Sequence, residues 1–174
     1  MQKVKLLMLL FAGLMVLTSF NPDKKKKDLW QGWDEIQQLM EQQPKPIIID
    51  IYTDWCIYCK KMDASTYKND SVCQYMKDHF YRFKFNGESK DTLMWHNKKF
   101  GFNKIYKVHN FVQYVSQGAI VFPTTVVITP DGQPYANGGM LNVKEMETLL
   151  KYYGTVYPDK SFEEFSKYYL PVWK

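Results

Sequence analysis

The chain has 174 residues, of which 45% are apolar and 24% charged, with a formal charge of +5; this is enough for one domain with a real core plus short additions. The basic excess is mild and includes the lysine run 24–27, a solvated leader rather than a nucleic-acid site. Three cysteines are too few for a disulfide framework and instead fit one active pair and a singleton.

Gln2 to Lys5 supplies a short basic region, residues 6–16 are nearly all apolar, and Thr18 and Ser19 are small. That order is the pattern of an export signal over residues 1–20, and the apolar run is too short for a comfortable membrane span. Retention as an uncleaved anchor is the lesser alternative, and no cysteine follows the run to accept a lipid. Removing residues 1–20 takes away Lys3 and Lys5 and no acidic residue, so the formal charge falls from +5 to +3. Residues 21–28 read as a flexible leader between the signal and the domain.

Leu29, Trp33, Ile36, Leu39 and Met40 recur at helical spacing and predict an amphipathic helix over residues 29–43, stopped by Pro44 and Pro46. The isoleucine run at 47–51 predicts a central strand over 47–53, covered on both faces. Asp50 interrupts it. A buried carboxylate has a desolvation cost and needs a reason to be there; the plain alternative is a partly exposed face.

The strand runs into Trp55-Cys56-Ile57-Tyr58-Cys59, followed by Lys60 and Lys61. Two cysteines with a two-residue spacer, at the passage from strand to helix, are the pattern of a dithiol redox centre. At a helix N-terminus, free backbone N–H groups and the helix dipole favour a thiolate. Cys56, nearer the exposed terminus, is the expected nucleophile, and Cys59, one turn in, the resolving thiol. Zinc is the chemical competitor, but Cys73, His79, His96 and His109 show no ligand spacing. A purely structural disulfide is a second alternative.

The dithiol helix is expected over 57–67, and a second helix over 71–79 with Asp70 as its cap and Val72, Tyr75 and Met76 buried. The alternation YRFKFN predicts a strand at 81–86 with Tyr81, Phe83 and Phe85 on one face. Within 87–118, Leu93 to Trp95 and Phe111 to Val115 both have helical character, and 108–116 reads as a crossover helix returning the chain to the sheet. Pro123 precedes a strand at 124–129, Thr129-Pro130-Asp131-Gly132 is a marked turn, and 133–137 is the antiparallel partner. A helix capped by Asn142 covers 142–153, and a last helical piece covers 162–169. Strands alternating with helices make an α/β domain over 29–157, with a helical extension at 158–174.

Asp50, Trp55-Cys56-Ile57-Tyr58-Cys59-Lys60 and the later Phe122-Pro123-Thr124 together resemble the thioredoxin family, and especially exported thioredoxin-like proteins of the bacterial cell envelope. The resemblance covers roughly residues 29–153. It implies a thioredoxin-like mixed sheet flanked by helices, with an N-terminal helix and a short C-terminal helical extension. It also implies that Pro123 forms a cis-proline loop opposite the dithiol, where Phe122, Trp55, Ile57 and Tyr58 help hold an extended substrate. By the same resemblance Asp50 lies beneath the dithiol near Cys59 and assists proton transfer, Lys84 is its neighbour, and Trp55 shields the site. The implied activity is thiol–disulfide exchange, reducing or exchanging disulfides in exported proteins in the periplasm, with no cofactor and no metal. Its partners would be protein thiols and disulfides and a membrane electron-donor protein. Ile57-Tyr58 departs from the Gly-Pro of general thioredoxins, and these positions affect the redox poise. The alternative is a thioredoxin-fold binding or assembly factor with an incidental or regulatory dithiol, which the aromatic share of 17% and the C-terminal helix would suit. Cys73 is expected as a buried, inert thiol on the second helix.

Overall fold

The computed structural model describes residues 29–174; the export signal and leader assigned to 1–28 lie outside the described residues. The isoleucine run forms β1 (Ile47–Tyr52), at the centre of a mixed sheet. It pairs in parallel with β2 (Tyr81–Asn86) and antiparallel with a strand near the proline loop, Thr124–Ile128. That strand pairs antiparallel with Pro134–Gly138 at the far edge.

Alternation along β1 sorts its side chains between two cores. Ile47, Ile49 and Ile51 join Phe83, Phe85, Val126 and Ile128 beneath α1 (Trp33–Gln42). Ile48 joins Val127 on the other face. That face is covered by α2 (Ile57–Ala64), by α3 (Asp70–His79) and by the helix Val143–Lys151, through Met62, Val72, Met76, Met146, Leu149 and Leu150. Each such side chain taken fully out of water contributes about 2 kcal/mol, so a two-sided sheet needs the near-continuous apolar run the sequence displays.

The dithiol helix is shorter than its periodicity suggests: α2 ends at Ala64, and a 3₁₀ turn, Thr66–Lys68, follows. Asn69, not Asp70, caps α3, its side chain accepting from the Val72 N–H at 3.2 Å. Asp70 instead begins the helix.

The larger correction lies in 87–118. Leu93 to Trp95 is not helical; it is β3 (Leu93–Trp95), paired with β4 (Lys98–Phe100). His96 and Asn97 both have positive φ, 48° and 60°, the backbone of the tight hairpin turn whose twist matches its strands. A second small hairpin joins β5 (Phe102–Asn103) to β6 (Val108–His109), and α4 (Asn110–Val115) follows. This helix does not lead to a parallel strand, because β7 (Thr124–Ile128) runs antiparallel to β1. The hairpins bury Trp95 and Phe100 against Trp33 and Phe111, so the inserted segment completes the first core.

The turn at Thr129 forms as expected, with Gly132 at φ 86° leading into β8 (Pro134–Gly138). α5 (Val143–Lys151) begins in a capping box built from Asn142 and Glu145 and runs on into a π-helical turn, Tyr152–Val156. The last helix, α6 (Phe162–Tyr168), is followed by a tail that returns to α5. There the buried Glu147 carboxylate accepts from the Tyr169 hydroxyl at 2.8 Å and from the Val172 and Trp173 N–H groups at 2.8 and 2.7 Å. Among the described residues no helix is long and apolar enough to cross a membrane.

Candidate active site

β1 ends at Tyr52, and the chain turns through Thr53, Asp54 and Trp55 to reach Cys56, the N-cap of α2. Cys56 N–H donates to the Thr53 carbonyl at 3.1 Å, and the Cys56 Sγ accepts from the Cys59 N–H at 3.1 Å. A sulfur in this position receives one of the otherwise unpaired donors of the first helical turn, and negative charge there is favoured by the helix dipole. Cys56 and Cys59 are joined as a disulfide with their Cα atoms 5.3 Å apart.

The exposed nucleophile expected at the helix terminus is not exposed in this oxidised form: Cys56 and Cys59 each show 3% of their surface. The open surface belongs to their neighbours, Trp55 at 63%, Ile57 at 67% and Tyr58 at 60%. Trp55 is anchored nonetheless. Its ring meets Phe122 edge-on with centroids 5.8 Å apart, and its Nε1 donates to Glu88 at 3.1 Å. Lys60 and Lys61 point to solvent, with the Lys61 ammonium 5.2 Å from the Tyr58 ring centroid.

The Phe122–Pro123 peptide bond is cis, the isomer the family resemblance implies. Because Ile51 is abreast of Thr124 across the β1–β7 pair, this loop lies at the end of the sheet from which the chain departs toward Cys56. Gly87 lies there too, its N–H bonded to the Tyr52 carbonyl at 2.7 Å. A side chain at 87 would begin 2.7 Å from the Phe122 ring, so anything larger than glycine would have to push that ring aside.

Asp50 is buried on the face of the sheet that α2 covers, abreast of Lys84 on β2 and Thr125 on β7. The Lys84 ammonium reaches its Oδ2 at 2.9 Å. The same ammonium also pairs with Asp63 from α2, a partner the sequence reading overlooked. A signal existed, since Asp63 follows Cys59 by four residues and so shares its side of the helix. Burial raises the Asp50 carboxyl to about 6, with Lys84 partly opposing the rise. Burial works against the Lys84 charge, but the two carboxylates together outweigh it and hold the ammonium above its ordinary range. The rings of Tyr52 and Trp30 flank it, with centroids 4.9 and 5.5 Å away.

Cys73 is only half-buried; its thiol donates to the Tyr67 carbonyl at 3.2 Å, and burial pushes its pKa up. His109 is fully buried and caps α4: Nδ1 accepts from the Phe111 N–H at 3.1 Å, which leaves Nε2 to donate to the Asp91 carbonyl at 2.9 Å. Among the described residues, no three His, Cys, Asp or Glu side chains gather as they would around a metal ion. The arrangement supports exchange between the Cys56–Cys59 disulfide and thiols, with a carboxyl able to change protonation near neutral pH on the sheet face that α2 covers.

A family model described as a thioredoxin-like domain matches residues 33–154. The thiol:disulfide interchange protein DsbD of Escherichia coli K12 shares 37% identity over 46 residues, which is 26% of this chain and 8% of that protein. Its counterpart from Citrobacter koseri shares 40% over 42 residues, 24% of this chain and 7% of that protein. The chain thus spans less than about a tenth of the curated relatives it matches. Among solved structures, a thioredoxin-fold protein from Helicobacter pylori superposes with a TM-score of 0.51 at 17% identity, over 71% of this chain and 79% of that one. A DsbH oxidoreductase gives a TM-score of 0.49 at 18% identity, over 70% and 83%. At these identities the structural likeness is one of fold.

Proposed function

We propose, from the premise that the chain belongs to the thioredoxin-like domain family and is a protein-disulfide oxidoreductase, that it reduces or exchanges disulfides of exported proteins through Cys56 and Cys59. The observation that carries this reading is the cysteine pair at the N-terminus of α2 with the buried Asp50–Lys84 pair on the sheet face that helix covers. In the reducing direction, the Cys56 thiolate attacks one sulfur of a substrate disulfide and releases the other as a thiolate. Cys59 loses its proton to the Asp50 carboxylate, and its thiolate then attacks the Cys56 sulfur. The Cys56–Cys59 bond forms, the bond to the substrate breaks, and the second substrate sulfur leaves with the electron pair and takes up a proton. The first substrate thiolate takes up from water the proton that Cys56 lost on ionising, so the substrate gains two electrons and two protons and the protein is left with its disulfide.

Trp55, Ile57 and Tyr58 give an extended substrate segment an apolar, aromatic border, and Phe122-Pro123 offers backbone on the opposite side. The work outside the cytoplasm rests on the signal pattern in residues 1–20. A dithiol spent on each turnover needs a reductant, and a membrane dithiol donor acting by the same exchange in reverse supplies it.

The test is insulin disulfide reduction together with the Cys56–Cys59 reduction potential, with Cys56→Ser as control. Exchange abolished in the variant and a potential near about −270 mV are expected of a reductase; a value near about −120 mV would make the protein an oxidant. Exchange unchanged in Cys56→Ser would overturn the reading and leave a binding or assembly role.

A further inference from the structure

Lys84 occupies one oxygen of Asp50, Oδ2, at 2.9 Å. The other, Oδ1, has no hydrogen-bond partner although the residue is buried. Several other buried side-chain polar atoms are in the same condition, and two of them, the hydroxyls of Tyr67 and Thr125, belong to the surroundings of Asp50. Thr125 is abreast of Asp50 on the neighbouring strand. Tyr67 comes from the 3₁₀ turn after α2 and packs into the same core with Ile48, Met62 and Val127. The carboxyl and the two hydroxyls lie within range of hydrogen-bond attraction, yet no pair closes to hydrogen-bond geometry.

Buried polar groups are nearly always paired, and a set of three left open together is costly unless something uses them. Their chemistry is complementary. A carboxylate only accepts, whereas a hydroxyl donates and accepts at once. A chain from the Thr125 hydroxyl to the Tyr67 oxygen, and from the Tyr67 hydroxyl to Oδ1, satisfies all three. Burial, with the Asp50 charge adding to it, pushes Tyr67 ionisation far above neutral pH. The phenol therefore serves only as a hydrogen-bonding group.

We propose that Tyr67 is a positioning residue for the dithiol reaction: with Thr125 behind it, its hydroxyl holds Oδ1 of Asp50 as the oxygen that takes and returns the Cys59 proton. This rests on the proton-accepting role given to Asp50 above. The ammonium on Oδ2 excludes the proton from that side, because an O–H there would face a cation. A proton leaving Cys59 lands on Oδ1; the new O–H donates to the Tyr67 oxygen, and the phenolic hydrogen turns toward Thr125. When the substrate thiolate has gone, the proton leaves and the hydroxyls swing back. No bond other than O–H and S–H changes in this step. The groups facing the carboxyl are Lys84 from β2, Asp63 from α2, Tyr67 from the turn and Thr125 from β7, and a change confined to Tyr67 leaves the two charged ones in place.

Tyr67→Phe keeps the ring and removes the donor. The Asp50 carboxyl is followed by ¹³C NMR titration in both redox states, beside the pH profile of insulin reduction. The expected result is a rise of the Asp50 midpoint by about one pH unit, with the profile moving the same way. In an Asp50→Asn background the same substitution should leave the profile unmoved. A midpoint and profile unchanged in Tyr67→Phe, or a profile shift that persists without Asp50, overturns the inference; a changed melting temperature alone does not rescue it. If Asp50→Asn leaves exchange at its original rate at every pH, the proton role of Asp50 fails and the catalytic claim for Tyr67 falls with it, while Cys56→Ser still reports separately on the oxidoreductase reading.

Discussion

Among the described residues two carboxylates are buried, and they are treated in opposite ways. Glu147 in α5 has both oxygens taken: Oε1 by the Tyr169 hydroxyl, and Oε2 by two N–H groups of the C-terminal tail. Asp50 has one oxygen held by a lysine shared with Asp63, and one left open. One hydroxyl and two backbone N–H groups, all from the C-terminal tail, make Glu147 a tether with both oxygens engaged. A shared cation and an open oxygen make Asp50 a group that can change state. Burial by itself therefore does not mark a reactive acid; the number and mobility of the donors around it does.

The sharpest way to break the contrast is Glu147→Ala. Three donors lose a charged acceptor, and urea unfolding should show a loss of about 3–4 kcal/mol, with exchange per folded molecule unchanged. A loss under about 1 kcal/mol would mean that the tail is not held by this carboxylate.

Asp50→Asn should move stability the other way. Its folded pKa of about 6 lies above the ordinary 3.8, so the folded state carries a penalty at pH values above about 6. That penalty fades as pH falls from 6 toward 3.8. The gap of about two units corresponds to about 3 kcal/mol. The value of about 6 already includes the Lys84 attraction; discounted for an asparagine that fits the site less well than a neutral carboxyl, the variant should be about 2 kcal/mol more stable at pH 7.5. The difference from wild type should shrink on acidification. His109 contributes an opposing trend, since burial lowers its pKa and the fold requires it neutral; it is present in both proteins and cancels in the comparison.

Asp63→Asn gives the smallest effect. The Asp63 charge raises the Asp50 pKa, and its loss leaves Lys84 to Asp50 alone. NMR titration should place the Asp50 midpoint about half a unit lower. Stability should change by less than about 0.5 kcal/mol, because the Asp63 side chain is 41% exposed. A midpoint that rises would mean that Asp63 holds the lysine in place for Asp50 instead of competing for it.

The parts of this architecture that follow from spacing were open in the sequence. The run at 47–51, the alternation at 81–86 and the Thr129-Pro130-Asp131-Gly132 turn each depend on local chemistry alone, and each lies where its pattern places it. The cysteine pair and Asp50 were legible because their residue types break the patterns around them. The hairpins of 93–109 were not. Strands of two and three residues are too short to establish a period, and His96-Asn97 carries its positive φ without a glycine to announce it. Glu147 was hidden for another reason. It shares the 143, 146, 150 face of α5 and reads as one surface charge, because its donors come from a tail more than 20 residues away. The Lys84–Asp63 contact likewise joins α2 to β2 through space; the spacing from Cys59 gives Asp63 its side of the helix but not its partner.

Gly87 joins regions that would otherwise drift apart. Its N–H is fixed to the end of β1, its carbonyl receives the His109 N–H of the inserted segment at 2.8 Å, and the face where a side chain would stand is filled by Phe122. Phe122 in turn supports Trp55 beside the dithiol. The inserted hairpins, the end of β1 and the proline loop are therefore tied together at one residue, and a side chain at 87 would have to displace the Phe122 ring and with it the support of Trp55.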